Sequence, residues 1–174
     1  MGLARRRLWL LALLLPVCGS AIGDADGDYA LGRKAYEAED LIDAIQYLER
    51  AAGQGHVQSQ LLLGYILDKA EENAAAMGYY QQAAAAGSGE AAHAVGTMYA
   101  NGDGVARDLA MARDWYQRSA MLGYAPALET LGIAYVEGGL GLQAEPERGA
   151  EMLREAAALG RDSARRYLDG LGRP

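Results

Sequence analysis

Apolar positions recur through most of this chain at helical spacing, and from Ala91 to Gly123 they outline two helices joined by a turn. Ala91, Val95 and Tyr99 follow one another at steps of four, and Ala112, Trp115, Tyr116 and Ala120 share one side of the helix that follows. Each set makes an apolar stripe of the width a packed helix pair needs. Between them NGDGV, from Asn101, supplies two glycines able to take the left-handed conformation that ends a helix and reverses the chain. One hairpin of this kind leaves apolar surface uncovered, so its meaning depends on whether its neighbours repeat it.

They do, in a register that two independent landmarks share. Leu31-Gly32, Leu63-Gly64, Val95-Gly96 and Leu131-Gly132 are spaced 32, 32 and 36 residues apart. The closing glycines Gly55, Gly87, Gly123 and Gly160 are spaced 32, 36 and 37. A period of this length marks a solenoid of stacked hairpins. The second helices align as YLERAAGQG from Tyr47, YYQQAAAAG from Tyr79, WYQRSAMLG from Trp115 and MLREAAALG from Met152. The bulky pair is expected to fill the space between adjacent hairpins, and Ala52, Ala84, Ala120 and Ala157 to let helices approach closely. A glycine inside a helix costs about 1 kcal/mol relative to alanine. Its recurrence at Gly32, Gly64, Gly96 and Gly132 predicts that another helix crosses there, leaving no room for a side chain.

The pattern A-x-x-x-L-G-x-x-Y, a glycine-rich turn, W-Y-x-x-A-A and a final glycine resembles the Sel-one-like repeat, a relative of the tetratricopeptide repeat. The third repeat matches best, through Ala91, Val95, Gly96, Tyr99, Gly102, Gly104, Val105, Asp108, Ala112, Trp115, Tyr116, Ala120 and Gly123. The fourth has a longer, irregular turn, and the first two lack the G-x-G-V turn. The resemblance implies an all-α, right-handed α-solenoid of about four helix-turn-helix repeats with a C-terminal capping helix. The expected units are repeats at 29–57, 58–88, 89–123 and 124–160, with a cap and tail at 161–174. In the cap, Ala164, Tyr167, Leu168 and Leu171 form the apolar side.

Composition supports helices: alanine and leucine abound, phenylalanine is absent and only 4 prolines occur. The first residues have a different character. Arg5, Arg6 and Arg7 precede an apolar run from Leu8 to Leu15, then Pro16 and the small Gly19, Ser20 and Ala21. This is the layout of a secretory signal peptide over 1–21, cut between residues 19 and 23, and the run is too short to span a bilayer. Loss of its three arginines takes the formal charge from −7 to −10. So acidic a chain repels phosphate backbones, which argues against nucleic acid as a partner. The single cysteine, Cys18, lies in the leader and leaves the mature chain without disulfides. LPVCG also resembles a lipoprotein processing site, although Val17 departs from that pattern, so membrane attachment is expected only if Cys18 is lipidated. The following DADGD, Asp24 to Asp28, is a poor calcium loop, because Gly27 comes too early and Ala35 stands where the bidentate glutamate belongs. It reads as an acidic, mobile start over 22–28.

Residues suited to chemistry are sparse. His56 and His93 lack carboxylates or cysteines at metal-ligand spacing. His56 is expected to cap a helix end by bonding free carbonyls, and His93 to be structural or solvated. Ser59, Ser88, Ser119 and Ser163 lie near repeat boundaries and read as caps or packing residues. The turn from Asn101 to Asp108 has no phosphate-loop spacing. No catalytic residue, metal, cofactor or small-molecule substrate is expected. Binding is the better expectation: a second stripe on the first helices points away from the core and changes chemistry from repeat to repeat. It holds Tyr29, Arg33 and Tyr36, then Leu61, Tyr65 and Asp68, then His93 and Thr97, then Glu129, Ile133 and Val136. In related solenoids first helices line the concave surface, so the resemblance implies that this stripe meets a protein or peptide. The expected function is an exported protein-interaction adaptor or scaffold in a bacterial periplasm. The alternatives are a lipid-anchored outer-membrane scaffold and a hydrolase of the Sel-one-like beta-lactamase type. Those hydrolases are cysteine-rich, and this chain has no cysteine after Cys18.

Overall fold

A computed structural model describes residues 23–171 of the chain. The expected leader and Cys18 lie outside the described residues. Within them the chain forms nine helices: α1 (Ala25–Glu37), α2 (Leu41–Gly53), α3 (Val57–Lys69), α4 (Asn73–Ala85), α5 (Gly89–Asn101), α6 (Leu109–Met121), α7 (Ala125–Glu137), α8 (Pro146–Ala158) and α9 (Asp162–Leu171). Substantial contacts join only consecutive helices, which is the signature of a row of hairpins, as the repeat register predicts.

The recurring glycines are where each hairpin closes on itself. A Cβ on Gly32 would lie 2.7 Å from Leu48, on Gly64 2.6 Å from Tyr80, on Gly96 2.9 Å from Tyr116 and on Gly132 2.8 Å from Leu153. Leu48, Tyr80, Tyr116 and Leu153 are each at most 5% exposed. Burying such a side chain contributes about 2 kcal/mol, which outweighs the helix-propensity cost of the glycine it covers. The bulky pair therefore divides its work, contrary to the expectation that both members fill the space between hairpins. Its second member packs inside its own hairpin. Its first member reaches back: Tyr79 against the cluster of Leu48 and Leu63, Trp115 against that of Met77 and Val95, and Met152 against that of Tyr116 and Leu131. Of the expected alanines, Ala52 and Ala84 are buried, and the residue before each expected alanine is fully buried in all four repeats. Ala51, Ala83, Ser119 and Ala156 are the fully buried series, whereas Ala120 and Ala157 keep some exposure.

Turn chemistry follows the same register. The closing glycines Gly55, Gly87, Gly123 and Gly160 have φ between 80° and 97°, where a side chain is strained. In the two short repeats the turn inside the hairpin puts Glu39 and Glu71 in that left-handed region, each at φ 62°. In the two longer repeats Gly102 and Gly138 take it. The long turn of the third repeat leans on its predecessor: a Cβ on Gly104 would meet Asn73 of α4 at 2.6 Å.

The start of the fold departs from the reading of 22–28 as mobile. Asp24 caps α1, its carboxylate accepting from the Gly27 amide at 2.6 Å. Asp28 is 4% exposed and accepts from Arg50 of α2 at 2.8 Å, so this acidic run is part of the first hairpin. At the other end α9 covers α8, with Ala164 fully buried and Tyr167 and Leu168 packed beside it. Leu171, expected on its apolar side, is half exposed. In the register of the recurring glycine α9 carries Asp169, which is exposed and crossed by no helix among the described residues.

Gly132→Ala is expected to cost about 2 kcal/mol, because its Cβ would also meet the Gly149 carbonyl at 3.0 Å, which backbone holds in place. Gly78→Ala, in open space inside α4, is expected to gain about 1 kcal/mol. Urea denaturation of both variants checks the pair, and equal effects would refute the crossing argument.

Candidate functional site

The first helices of hairpins one to three share a groove of about 550 Å³. From α1 come Tyr29, Arg33, Tyr36 and Glu37, and from α3 Gln58, Leu61, Leu62 and Tyr65. From α5 come Glu90, His93 and Ala94, while Tyr80 of α4 and Tyr124, just before α7, close it. A second depression of about 440 Å³ adjoins it and shares Gln58, Leu61 and Glu90. Six of the eleven stripe residues therefore come together: Tyr29, Arg33, Tyr36, Leu61, Tyr65 and His93.

The other five lie outside the groove lining, and four of them have structural partners. Thr97 donates to the His93 carbonyl at 3.1 Å and shares a bond with the Tyr116 hydroxyl, also at 3.1 Å. Ile133, with Val136, packs into the cluster around Leu128 and Leu153. Glu129 is 9% exposed and accepts from Arg161 at 2.6 Å. Asp68 is half-buried, and its charge acts on Tyr80. The stripe thus changes role along the solenoid, from groove wall in the first three repeats to packing surface in the fourth. The helical period gives a face, but the following hairpin decides whether that face is covered.

Both histidines have structural partners. His56 caps a helix, but at its start: Nδ1 accepts from the Ser59 amide of α3 at 3.2 Å, where carbonyl bonding was expected. Its Nε2 lies 3.2 Å from Asp26 and its ring centroid 4.7 Å from that of Tyr29. His93 joins repeats three and four through Nε2 to the Thr130 hydroxyl at 3.2 Å, with its ring against Tyr116 and Tyr124 at 5.0 and 5.5 Å. Burial, and then the charge of Arg161, push its pKa below the usual histidine value, so it is neutral at pH 7. Ser59 and Ser119 are fully buried; Ser119 donates to the Gly89 carbonyl at 2.6 Å and Ser88 caps α5. Among the described residues no group of three His, Cys, Asp or Glu is placed to hold a metal ion, and no helix is long and apolar enough to cross a membrane.

The groove is walled by tyrosine and bordered by carboxylate. Burial and then the charges of Asp68 and Glu90 raise the Tyr80 hydroxyl well above the ordinary phenol range. Burial and then Glu90 likewise raise that of Tyr124. Gln58 and Glu90 were not in the candidate stripe, although reading the stripe one turn nearer each helix start takes them in. Tyr80 and Tyr124 belong to neighbouring elements, and nothing in the first helices signals them.

A helical hairpin with these landmarks, four times over, can be compared with known proteins. The model of the Sel1 repeat matches residues 25–56, 57–88, 89–124 and 125–160. The chain belongs to the Sel1 repeat family. Sel1 repeat proteins are in general protein-interaction scaffolds. Among solved structures, a protective antigen of uropathogenic Escherichia coli with an SLR fold is 27% identical at a TM-score of 0.76, over 86% of this chain and 33% of its own length. A Sel1 repeat protein from Oxalobacter formigenes is 26% identical at a TM-score of 0.74, over 80% of this chain and 60% of its own. This chain thus spans from a third to three-fifths of those Sel1 proteins. MamA, 20% identical at a TM-score of 0.56 over 81% of each chain, shares the fold. No curated protein matches it.

In this Sel1 chain the fourth repeat is tied to α9 by Glu129. Burial raises its pKa, but bonds from Ser163 and Arg161 and the charges of Arg161 and Arg166 outweigh that and hold the carboxyl below the usual glutamate range. A depressed folded value means stability present above the unfolded pKa of about 4.3 and lost as pH falls through the folded one. Arg161→Ala is expected to cost about 2 kcal/mol at pH 7, with the deficit shrinking at pH ~3. Urea denaturation at the two pH values checks it; a deficit independent of pH would contradict the assignment.

Proposed function

We propose that the chain is an exported protein-interaction module that holds a protein or peptide segment in the groove over α1, α3 and α5. The observation that carries this reading is the groove itself. It gathers exposed Arg33 and Tyr65 with half-buried Tyr29, Tyr36 and Leu61, each of which packs part of its side chain against the core and leaves the rest uncovered. Tyrosine suits such a surface, since its ring gives apolar contact with few rotatable bonds and its hydroxyl stays wet. General membership in a scaffold family supports the class of function, and the leader-like residues 1–21 support export to a bacterial periplasm. Lipidation of Cys18 would instead anchor the same module to a membrane.

The test uses protein recovered from the periplasmic fraction, with its leader cut between residues 19 and 23, as bait for envelope extracts. Tyr36→Ala with Tyr65→Ala is expected to lose at least about 90% of a saturable partner, since central aromatic contacts each contribute on the order of 2 kcal/mol. Gln46→Ala with Gln81→Ala, at exposed positions of α2 and α4, is expected to keep it. Capture that depends on the second pair and not the first would move binding to the second helices. Recovery only as uncut protein in the cytoplasm would refute export.

A further inference from the structure

We propose that the groove takes an extended peptide carrying a lysine or arginine, whose cationic head sits beside Glu90 among the tyrosine rings. This rests on the peptide-binding reading above and names the chemistry of the partner. The starting point is an imbalance of charge within the wall. Arg33 is engaged by Glu37 at 3.5 Å, and Arg161, whose charge reaches His93 and Tyr124, is engaged by Glu129 at 2.6 Å. Glu90 has no ion-pair partner among the described residues, and it is exposed on the wall shared by the groove and the adjoining depression. Its charge acts on the hydroxyls of both Tyr80 and Tyr124, so the carboxylate's field covers the part of the groove where those rings stand.

The rings supply the second half of the site. Tyr29, Tyr36, Tyr65, Tyr80 and Tyr124 all line the groove, and a cation over an aromatic face within about 6 Å is attracted by the ring's electron density. The chain already makes this contact: Arg148 lies 4.0 Å from the Tyr135 ring centre, Arg50 4.6 Å from Tyr47 and Lys69 5.5 Å from the groove ring of Tyr65, so with Tyr80 buried the rings left for an incoming cation are Tyr29, Tyr36 and Tyr124. A peptide cation at Glu90 would add a charge-assisted bond to the same arrangement. The molecule as a whole favours that sign, with a formal charge of −7 that steers cationic segments toward it. An acidic peptide would meet repulsion both at a distance and at Glu90. A neutral apolar peptide would leave the carboxylate facing it with no partner.

The probe is a short random peptide library displayed on phage and selected on the full chain, followed by fluorescence anisotropy of a labelled synthetic peptide from the selected pool. The pool is expected to be enriched in lysine and arginine. Glu90→Gln is expected to weaken binding about tenfold and to flatten its dependence on salt. Glu90 is exposed, so the variant folds, and its melting curve serves as the check. Tyr65→Ala is expected to weaken the same peptide, and Gln81→Ala to leave it unchanged. A pool that yields no binder, is not enriched in basic residues or is enriched in acidic ones would overturn the proposal. So would unchanged affinity in Glu90→Gln, and if Tyr65→Ala still weakened binding, the groove reading would survive without its cationic partner. Binding indifferent to both substitutions would refute the groove reading as well.

Discussion

Each hairpin is held shut by one steric bargain: a glycine in the first helix leaves a space, and a large side chain from the second helix fills it. In four such pairs, Gly32 with Leu48, Gly64 with Tyr80, Gly96 with Tyr116 and Gly132 with Leu153, the filling side chain stands 2.6 to 2.9 Å from where a Cβ on the glycine would lie. Because the filling residue comes from within the hairpin, the residue before it is released for a different task. Tyr79, Trp115 and Met152 reach the previous hairpin and set the stacking. Closure and stacking are therefore encoded by adjacent residues of one helix. The spacing between hairpins is fixed by side chains that cannot move without opening one or the other.

That rigidity is what makes a surface out of the first helices. Held side by side, they bring Tyr29, Arg33, Tyr36, Leu61 and Tyr65 to a common groove, where Tyr29, Tyr36 and Leu61 also pack against the core clusters behind them. The same rigidity explains why the surface ends. At the fourth repeat Glu129 turns to Arg161 and Ile133 packs beneath α9, so the final helix is docked by residues that correspond to groove positions further up the chain. The exposed Leu31 shows the converse at the first hairpin. Its counterparts Leu63, Val95 and Leu131 are at most 1% exposed, whereas Leu31 is 48% exposed. No hairpin precedes it among the described residues.

The architecture was readable because its constraints are local. A glycine that a helix must cross, and a glycine with positive φ that ends a hairpin, recur every 32 to 37 residues, so the landmarks seen at Gly96 and Gly123 return in every repeat. The groove was partly readable for the same reason. Helical period puts Tyr29, Arg33, Tyr36, Leu61, Tyr65 and His93 on the side away from the Ala-Leu-Tyr core stripe. What period does not contain is the next hairpin, and so Thr97, Glu129 and Ile133 were assigned to a free face that their neighbours cover. Tyr80 and Tyr124 were missed because they enter the groove from other elements. Asp24 to Asp28 misled for a different reason: a run of carboxylates resembles a mobile segment until Arg50, 22 residues on, is seen to pair with Asp28.

The central claim is that the protein is a one-dimensional stack in which each hairpin is supported chiefly by those beside it. Native-state hydrogen exchange along the full chain tests this most directly. Amides of α3 to α6, supported on both sides, are predicted to open at the highest free energy, with protection falling toward α1 and α9. Protection that peaks at an end of the chain, or is the same in every helix regardless of position, would contradict it.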